Sequence, residues 1–290
     1  MRPSALCLAT SVALGLTASS LASAGTAAAS AQPSGRASHS SSPHVKRSAH
    51  DGRMTSTASP QVQPYACGAP TLVSSTGGSV SVGVAAEHTL TYGVTLDDNC
   101  LAPDTGNVVI YLYQDSGAYY SEDAVYQGND ANGNQIWQSK FTFDPSSSDA
   151  AAFWLDSDTY AGTWHAGAQV PGTTSLYKFA AADAYVKRYS TMSVDASEPT
   201  PKGATETVIG TLKRADWADH LYHGYTLQPA QLQFRTTTGL YSTVKSATTD
   251  SLGNLKTTTT ATVNGCYRWY FAGWTTTAPA TALGDCVSVT

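Results

Sequence analysis

The sequence predicts an all-β chain, two tandem antiparallel β-sandwiches following an export signal and a disordered linker. Three observations predict it. Short runs of β-forming residues alternate with Gly- and Asn-containing turns across the last hundred residues, and again over residues 80–186. Charged residues make up only 13% of the 290-residue chain, against about 25% in an ordinary soluble domain. The polar surface must therefore be carried by Ser, Thr, Asn, Gln and Tyr. Four of the five cysteines lie beyond the first 31 residues, and an even number in an exported chain implies disulfides.

The elements follow in order. Arg2 supplies a small positive region, an apolar stretch of small residues runs over 5–21, and Ala22-Ser23-Ala24 has the small-x-small pattern of a signal-peptidase site. Ala29-Ser30-Ala31 offers a second site, so residues 1–31 read as a signal peptide cut after 24 or 31. Thr, Ser and Gly dilute the apolar run below what a membrane anchor needs. Residues 32–64 are rich in Ser, His, Ala, Pro and Gln and lack the aromatic and branched side chains that offset ordering entropy. They read as a disordered linker or pro-segment, and Lys46-Arg47 is either a processing site or a solvated basic pair. The expected location is secreted and extracellular.

Residues 65–188 form a first β-rich module, with runs at 80–84, 88–96, 108–113, 124–127, 135–143, 160–166 and 176–186. Asn132-Gly133 suits a tight hairpin because both residues tolerate positive φ. The run 108–113 is apolar or aromatic at nearly every position and reads as a central strand covered on both faces. Residues 145–152 are small and polar, hence a loop. Residues 189–290 form a second module, with runs at 205–212, 231–235, 241–248, 255–263, 267–272 and 286–289. Each module is long enough to enclose one sandwich core. The join at 189–192 is short, so the modules are expected to touch.

Cys67, Cys100, Cys266 and Cys286 allow three pairings, and their clustering favours Cys67–Cys100 and Cys266–Cys286. In the run beginning at Cys266, the side chains of Tyr267, Trp269 and Phe271 share one face by period two, as do Val287 and Val289 in the last run. If both sets point inward, Cys266 and Cys286 oppose each other on the outer face of adjacent strands, within reach of a disulfide. The Cys-x-x-Cys or His/Cys spacing of a zinc site is absent.

The run Gly210-Thr211-Leu212-Lys213-Arg214-Ala215-Asp216-Trp217, with Gly224-Tyr225, Leu232-Gln233-Phe234-Arg235 and Phe271-Ala272-Gly273, resembles a module recurring in secreted bacterial proteins of unknown function. Val82-Gly83-Val84 and Gly162-Thr163-Trp164 are similar to the module that usually precedes it. The resemblance covers about residues 80–290 and implies a tandem pair of immunoglobulin-like sandwiches. It implies no activity and no catalytic residues. Such modules often carry aromatic residues where this chain has Cys266 and Cys286.

Several groups invite chemistry. Residues 213–229 read as a long, strand-poor connection that could present Arg214, Asp216, Trp217, Tyr222 and Tyr225 for recognition. Alternatively, Trp217 plugs the end of the sandwich while Asp216 caps a turn and pairs with Arg214. His220 and His223 stand near Asp216 and Asp219, but no dedicated third ligand and second shell accompany them. Asp97, Asp98 and Asp104 around Cys100, and the Asx-rich stretch 129–134, could gather oxygen ligands for calcium; Asx-rich turns are the commoner explanation. Sixteen tyrosines, clustered at Tyr111, Tyr113, Tyr119 and Tyr120, could stack on sugar rings or pack in a core. Tyr119 and Tyr120, placed in a loop over 115–123, are the expected exposed pair.

No Gly-x-Ser-x-Gly elbow, His-Glu-x-x-His helix or phosphate-cradling Gly loop occurs. The expectation is a non-catalytic extracellular binding or structural protein, with no cofactor and no resident metal. Its ligand is expected to be a polysaccharide or a protein. A formal net charge of −5 argues against nucleic acid, which needs clustered Lys and Arg, and no membrane partner is expected once the signal is removed. Two alternatives are a carbohydrate- or cell-wall-binding protein and a protease inhibitor presenting the 102–106 loop; a secreted hydrolase is the remaining class.

Overall fold

The computed structural model describes residues 70–97, 108–146, 152–171, 176–198 and 200–290. The signal segment, the linker, Cys67, Cys100, Asp98, Asp104 and the 102–106 loop lie outside the described residues. So does any test of the Cys67–Cys100 pairing.

The first sandwich begins with β1 (Thr71–Ser75), β2 (Gly78–Val82), β3 (His88–Asp97), β4 (Val109–Tyr113) and β5 (Tyr119–Asp123). It continues through β6 (Val125–Asn129), β7 (Gln135–Asp144), β8 (Phe153–Trp154), β9 (Gly162–Pro171) and β10 (Leu176–Arg188). One sheet runs β1-β3-β7-β6 with β8 beside β7; the other runs β2-β10-β9-β4-β5. This is the strand partition of an immunoglobulin domain: the first, third, sixth and seventh strands share one sheet, and the last two strands join β4 in the other. The chain moves from one sheet to the other between β1 and β2, at Gly77, whose φ of 61° is open to glycine at little cost. Alternation explains the layers. Tyr92, Val94 and Leu96 of β3 and Phe141 and Phe143 of β7 are buried, facing Ile110, Leu112 and Trp164 of the second sheet. Phe143 and Phe153 meet Trp164 edge-on at 5.6 and 5.1 Å, an orientation the ring quadrupoles favour.

Here the reading of 108–113 is corrected. β4 does lie inside its sheet, between β9 and β5, but only Ile110 and Leu112 enter the core. Val109, Tyr111 and Tyr113 point to the outer face, which no described element covers. Their apolar character mimicked a doubly buried strand.

The second sandwich comprises β11 (Ser190–Met192), β12 (Asp195–Ala196), β13 (Thr205–Asp216), β14 (Leu221–Gly224), β15 (Pro229–Thr236), β16 (Ser242–Thr248), β17 (Asn254–Thr260), β18 (Gly265–Phe271), β19 (Ala280–Thr281) and β20 (Asp285–Val287). β13 carries β11, β12, β14 and β17; the opposing sheet runs β16-β15-β18, with β19 and β20 both on β18. All pairings between its named strands are antiparallel. Tyr267, Trp269, Phe271 and Val287 form the inner face, while Val289 lies past the last strand and is half-buried. The indole of Trp269 crosses to the other sheet and donates to the Ile209 carbonyl at 3.1 Å. It crosses directly over Gly210, where an added Cβ would lie 2.6 Å from the ring. That close approach is the physical reason for glycine at the head of the Gly210-Thr211-Leu212 run.

Cys266 and Cys286 stand directly opposite each other on β18 and β20 and form a disulfide. Only 6% of Cys266 is exposed: Tyr241, with Arg268 at 3.9 Å and Arg235 at 5.0 Å from its ring, roofs this part of the outer face. The bond closes a span of 20 residues, so chain entropy predicts that Cys266→Ser with Cys286→Ser loses about 3 kcal/mol. Urea unfolding followed by tryptophan fluorescence would measure it; an unchanged midpoint would show that the ladder alone holds β20.

Candidate functional site

Two regions gather the chemistry-bearing residues. The first is the joint between the sandwiches, which lie in one compact unit. β13 does not end where the sequence reading ended it. It runs on to Asp216 and pairs with β14, from Lys213 opposite Gly224 to Asp216 opposite Leu221. The strand-poor connection expected over 213–229 is thus largely a hairpin, and its turn carries Trp217 into the first sandwich rather than its own. Trp217 is fully buried within the core of the first sandwich, and its indole N–H donates to the Val82 and Gly83 carbonyls at 3.3 and 3.0 Å. Its backbone N–H donates to Asp158 Oδ1 at 2.9 Å.

Asp158 opens a single 3-10 turn, Asp158–Tyr160. Its other oxygen meets Arg188 Nη2 at 2.7 Å, and Asp216 Oδ2 lies 3.7 Å from the same nitrogen. Arg188, the last residue of β10 and 6% exposed, also donates from Nε to the Ala215 carbonyl. Burial and the neighbouring Arg214 lower the Arg188 pKa, while Asp158 and Asp216 oppose that shift. Burial likewise raises Asp158 above the usual carboxylate value, against the pull of the Trp217 N–H and Arg188.

The remaining members of the expected recognition set are also engaged. Tyr222 packs against the first core. Arg214 lies over the Tyr225 ring at 4.0 Å, and Tyr225 meets Phe271 edge-on at 5.8 Å. Asp216 pairs with Arg188 and accepts from the Ala218 N–H at 3.0 Å. The five residues line a joint, where the sequence reading placed an open loop or the plug of the second sandwich.

Beside the joint, Asp216, Asp219 and His223 bring one ligand atom each within 4.8 Å of one another. Asp219 Oδ2 is 2.6 Å from His223 Nε2, and this bond holds the Asp219 carboxyl below its ordinary value. His220 is not in the group. Of the calcium candidates, Asp97 is described, and it accepts from the Thr71 hydroxyl at 3.1 Å. The Asx-rich stretch 129–134 is a capped turn: Asp130 accepts from the Asn132 and Asn134 backbone N–H groups and from the Asn134 amide. Asp250 repeats this arrangement with Leu252 and Asn254 in the second sandwich. The shared Asp-x-x-Gly-Asn pattern is a turn device that leaves both carboxylates occupied.

The second region is the outer face of β4, β5 and β9. Tyr119 and Tyr120 lie on β5, not in a loop, so they point to opposite faces. Tyr120 is buried, edge-on to Phe141 and Phe143 at 5.1 and 5.7 Å, and its surroundings raise its pKa. Tyr111, Tyr113 and Tyr119 share the outer face. The Tyr111 ring centroid is 6.1 Å from that of Tyr113 and 6.0 Å from that of Tyr119, with interplanar angles of 33° and 20°. Tyr111 leans across β9 onto Gly167, where any Cβ would collide with its ring, so the ring rests against the sheet. Partial burial and the two neighbouring phenols raise the Tyr111 pKa and keep it a neutral hydrogen-bonding group.

His165 extends the row. Opposite Tyr113 on β9, it has its ring 5.3 Å from the Tyr113 ring, Nδ1 3.0 Å from Asp183 Oδ1 and Nε2 3.7 Å from Asp115 Oδ1. Sequence reasoning missed His165 because nothing local signals that β9 lies beside β4.

No protein-family model matches the chain, and no curated protein does. Among solved structures it is similar to a marsupial T cell receptor, with 9% identity over 74% of this chain and 71% of that one and a TM-score of 0.35. It is also similar to the D0-D1 domain of intimin, with 16% identity over 76% of this chain and 100% of that one and a TM-score of 0.24. The immunoglobulin-like assignment rests on strand order and register, not on these likenesses.

Proposed function

We propose that the chain is an exported, non-catalytic binding module whose two sandwiches form one rigid support for a ligand face on the first. The observation that carries this reading is the outer tyrosine row. The Tyr113 and Tyr119 rings lie 6.1 and 6.0 Å from the Tyr111 ring on the side of the sheet away from its core, with Tyr113 exposed and the other two half-buried. Single exposed aromatics are ordinary, whereas a contiguous row on a rigid scaffold marks an interaction surface. Export is supported by the Cys266–Cys286 disulfide, a bond that persists in oxidising compartments, together with the signal-like first 31 residues.

Recovery from culture medium tests the export. The expected product begins at residue 25 or 32 and yields a Cys266–Cys286 peptide; a full-length, reduced chain retained in the cytosol overturns it. Hydroxyl-radical footprinting with and without isolated cell envelopes tests the face. Tyr113 and Tyr119 should become protected, and protection elsewhere with both unchanged would refute the assignment. A screen of ester, glycoside and peptide substrates should give no turnover above a blank.

A further inference from the structure

The chain carries more acids than bases, 21 against 16, yet the outer face of β15 and β18 holds two cations and no carboxylate. Gln233 and Arg235 of β15 stand opposite Arg268 and Cys266 of β18, so the two arginines are diagonal neighbours on one face. Tyr241 brings their heads together. The Arg268 guanidinium lies 3.9 Å from its ring centroid and that of Arg235 5.0 Å. The positions around them, Gln231, Thr243, Ser246 and Tyr270, are uncharged. Asp285, beside Cys286 on β20, points to the opposite side by alternation and accepts from the Ala196 N–H at 2.8 Å.

Among the described residues, neither arginine forms an ion pair. Their hydrogen bonding is equally sparse. Arg268 donates from Nε to Gln233 Oε1 at 2.8 Å, whereas Arg235 Nε is buried and meets no acceptor. No described residue accepts from the Nη groups of either side chain. A guanidinium has five donors, and leaving a charged donor unmet costs more than leaving a neutral one. The ring attracts each cation but removes none of their charge, so the pair still repels itself. Arg188 shows the contrast, since Asp158 and Asp216 both face it.

An oxyanion supplies what both arginines lack. It accepts charge-assisted hydrogen bonds from the planar guanidinium fork, and one such group can bridge two forks and cancel their repulsion. Tyr241 and Gln233 already hold the Arg268 head, so less side-chain entropy is lost on binding. Two guanidiniums are too few for the phosphate array of a nucleic acid or for an anionic membrane, which takes a cluster of about four to eight basic residues. They match a single group.

We infer that Arg235 and Arg268 form a binding site for one oxyanion, a carboxylate or a phosphate group, on the second sandwich. This goes beyond the ligand face of the first sandwich and does not rest on it.

The test follows the arginine Nε–H resonances of the 15N-labelled exported protein by NMR. Inorganic phosphate and acetate are titrated separately, each replacing chloride at constant ionic strength. The Arg235 and Arg268 signals should move saturably with at least one of them, and the stronger response names the group as phosphate or carboxylate. Arg214 is the control. Its Nε is likewise buried without an acceptor, but it lies in the joint beside Asp216 and should stay still. Arg268→Gln should weaken the response at Arg235 about tenfold, the loss of one charge-assisted hydrogen bond. Arg235→Gln, read at Arg268, gives the reciprocal measurement should the first replacement disturb β18. Unchanged backbone amide signals elsewhere keep a folding defect from imitating either loss. No saturable movement with either anion overturns the site, as does equal movement at Arg214 or full affinity in both variants.

Discussion

Trp217→Ala should lower the unfolding free energy by about 3–5 kcal/mol, the range for removing a fully buried aromatic side chain. The loss should fall on the first sandwich although the residue belongs to the second. The indole fills space in the first core and satisfies the carbonyls of Val82 and Gly83; truncation leaves a cavity and removes their indole donor. Two consequences separate this from ordinary core damage. Urea unfolding should change from one concerted transition to two, because the joint couples the sandwiches. Proteolysis should also gain a site near residues 189–192, where the chain passes between them. A loss below about 1 kcal/mol with a single transition would mean that Trp217 only decorates the joint.

Arg188→Met should cost a comparable amount, about 3–5 kcal/mol, since removing one partner of a buried ion pair strands the other. Asp158 and Asp216 both face Arg188, so its loss leaves two half-buried carboxylates without their cation. Arg188→Met with Asp158→Asn should recover much of that cost, because the amide removes the stranded charge. The pH dependence provides a second reading. Asp158 already sits above its ordinary value, so the folded state binds its proton more tightly than the unfolded state does. Stability from this group is therefore greatest at low pH and falls as pH rises from about 4 through the folded value. Without Arg188 the folded value rises further. The deficit of Arg188→Met relative to wild type should be largest near pH 7 and shrink on acidification. A pH-independent deficit would place the cost in packing rather than charge.

How much was legible varied with the range of the interaction. The strand rhythm of both sandwiches was readable, although β1, β5 and β14 were missed, as were the two- and three-residue strands β8, β11, β12 and β19. β1 is a mostly exposed edge strand, and β5 and β14 carry Gly- and charge-rich neighbours that resemble loops. The 129–134 turn was readable as an Asx turn because every partner of Asp130 lies within four residues. The tyrosines were seen as a cluster, but Tyr120 was grouped with Tyr119 because adjacency along the chain hid the alternation of the strand they share.

The sequence by itself determined the all-β architecture, the inner face of Tyr267, Trp269 and Phe271, and the opposition of Cys266 and Cys286. These follow from period-two alternation and from strands that lie close in the chain and pair in the sheet. Only the tertiary structure decided which sandwich Trp217 fills and which rings share the outer face with His165. Trp217 meets Val82 across 135 residues, and the contact of Tyr113 with His165 depends on β9 lying beside β4. Contacts of that range are selected by the packing of whole sheets against each other, which leaves no periodic trace along the chain.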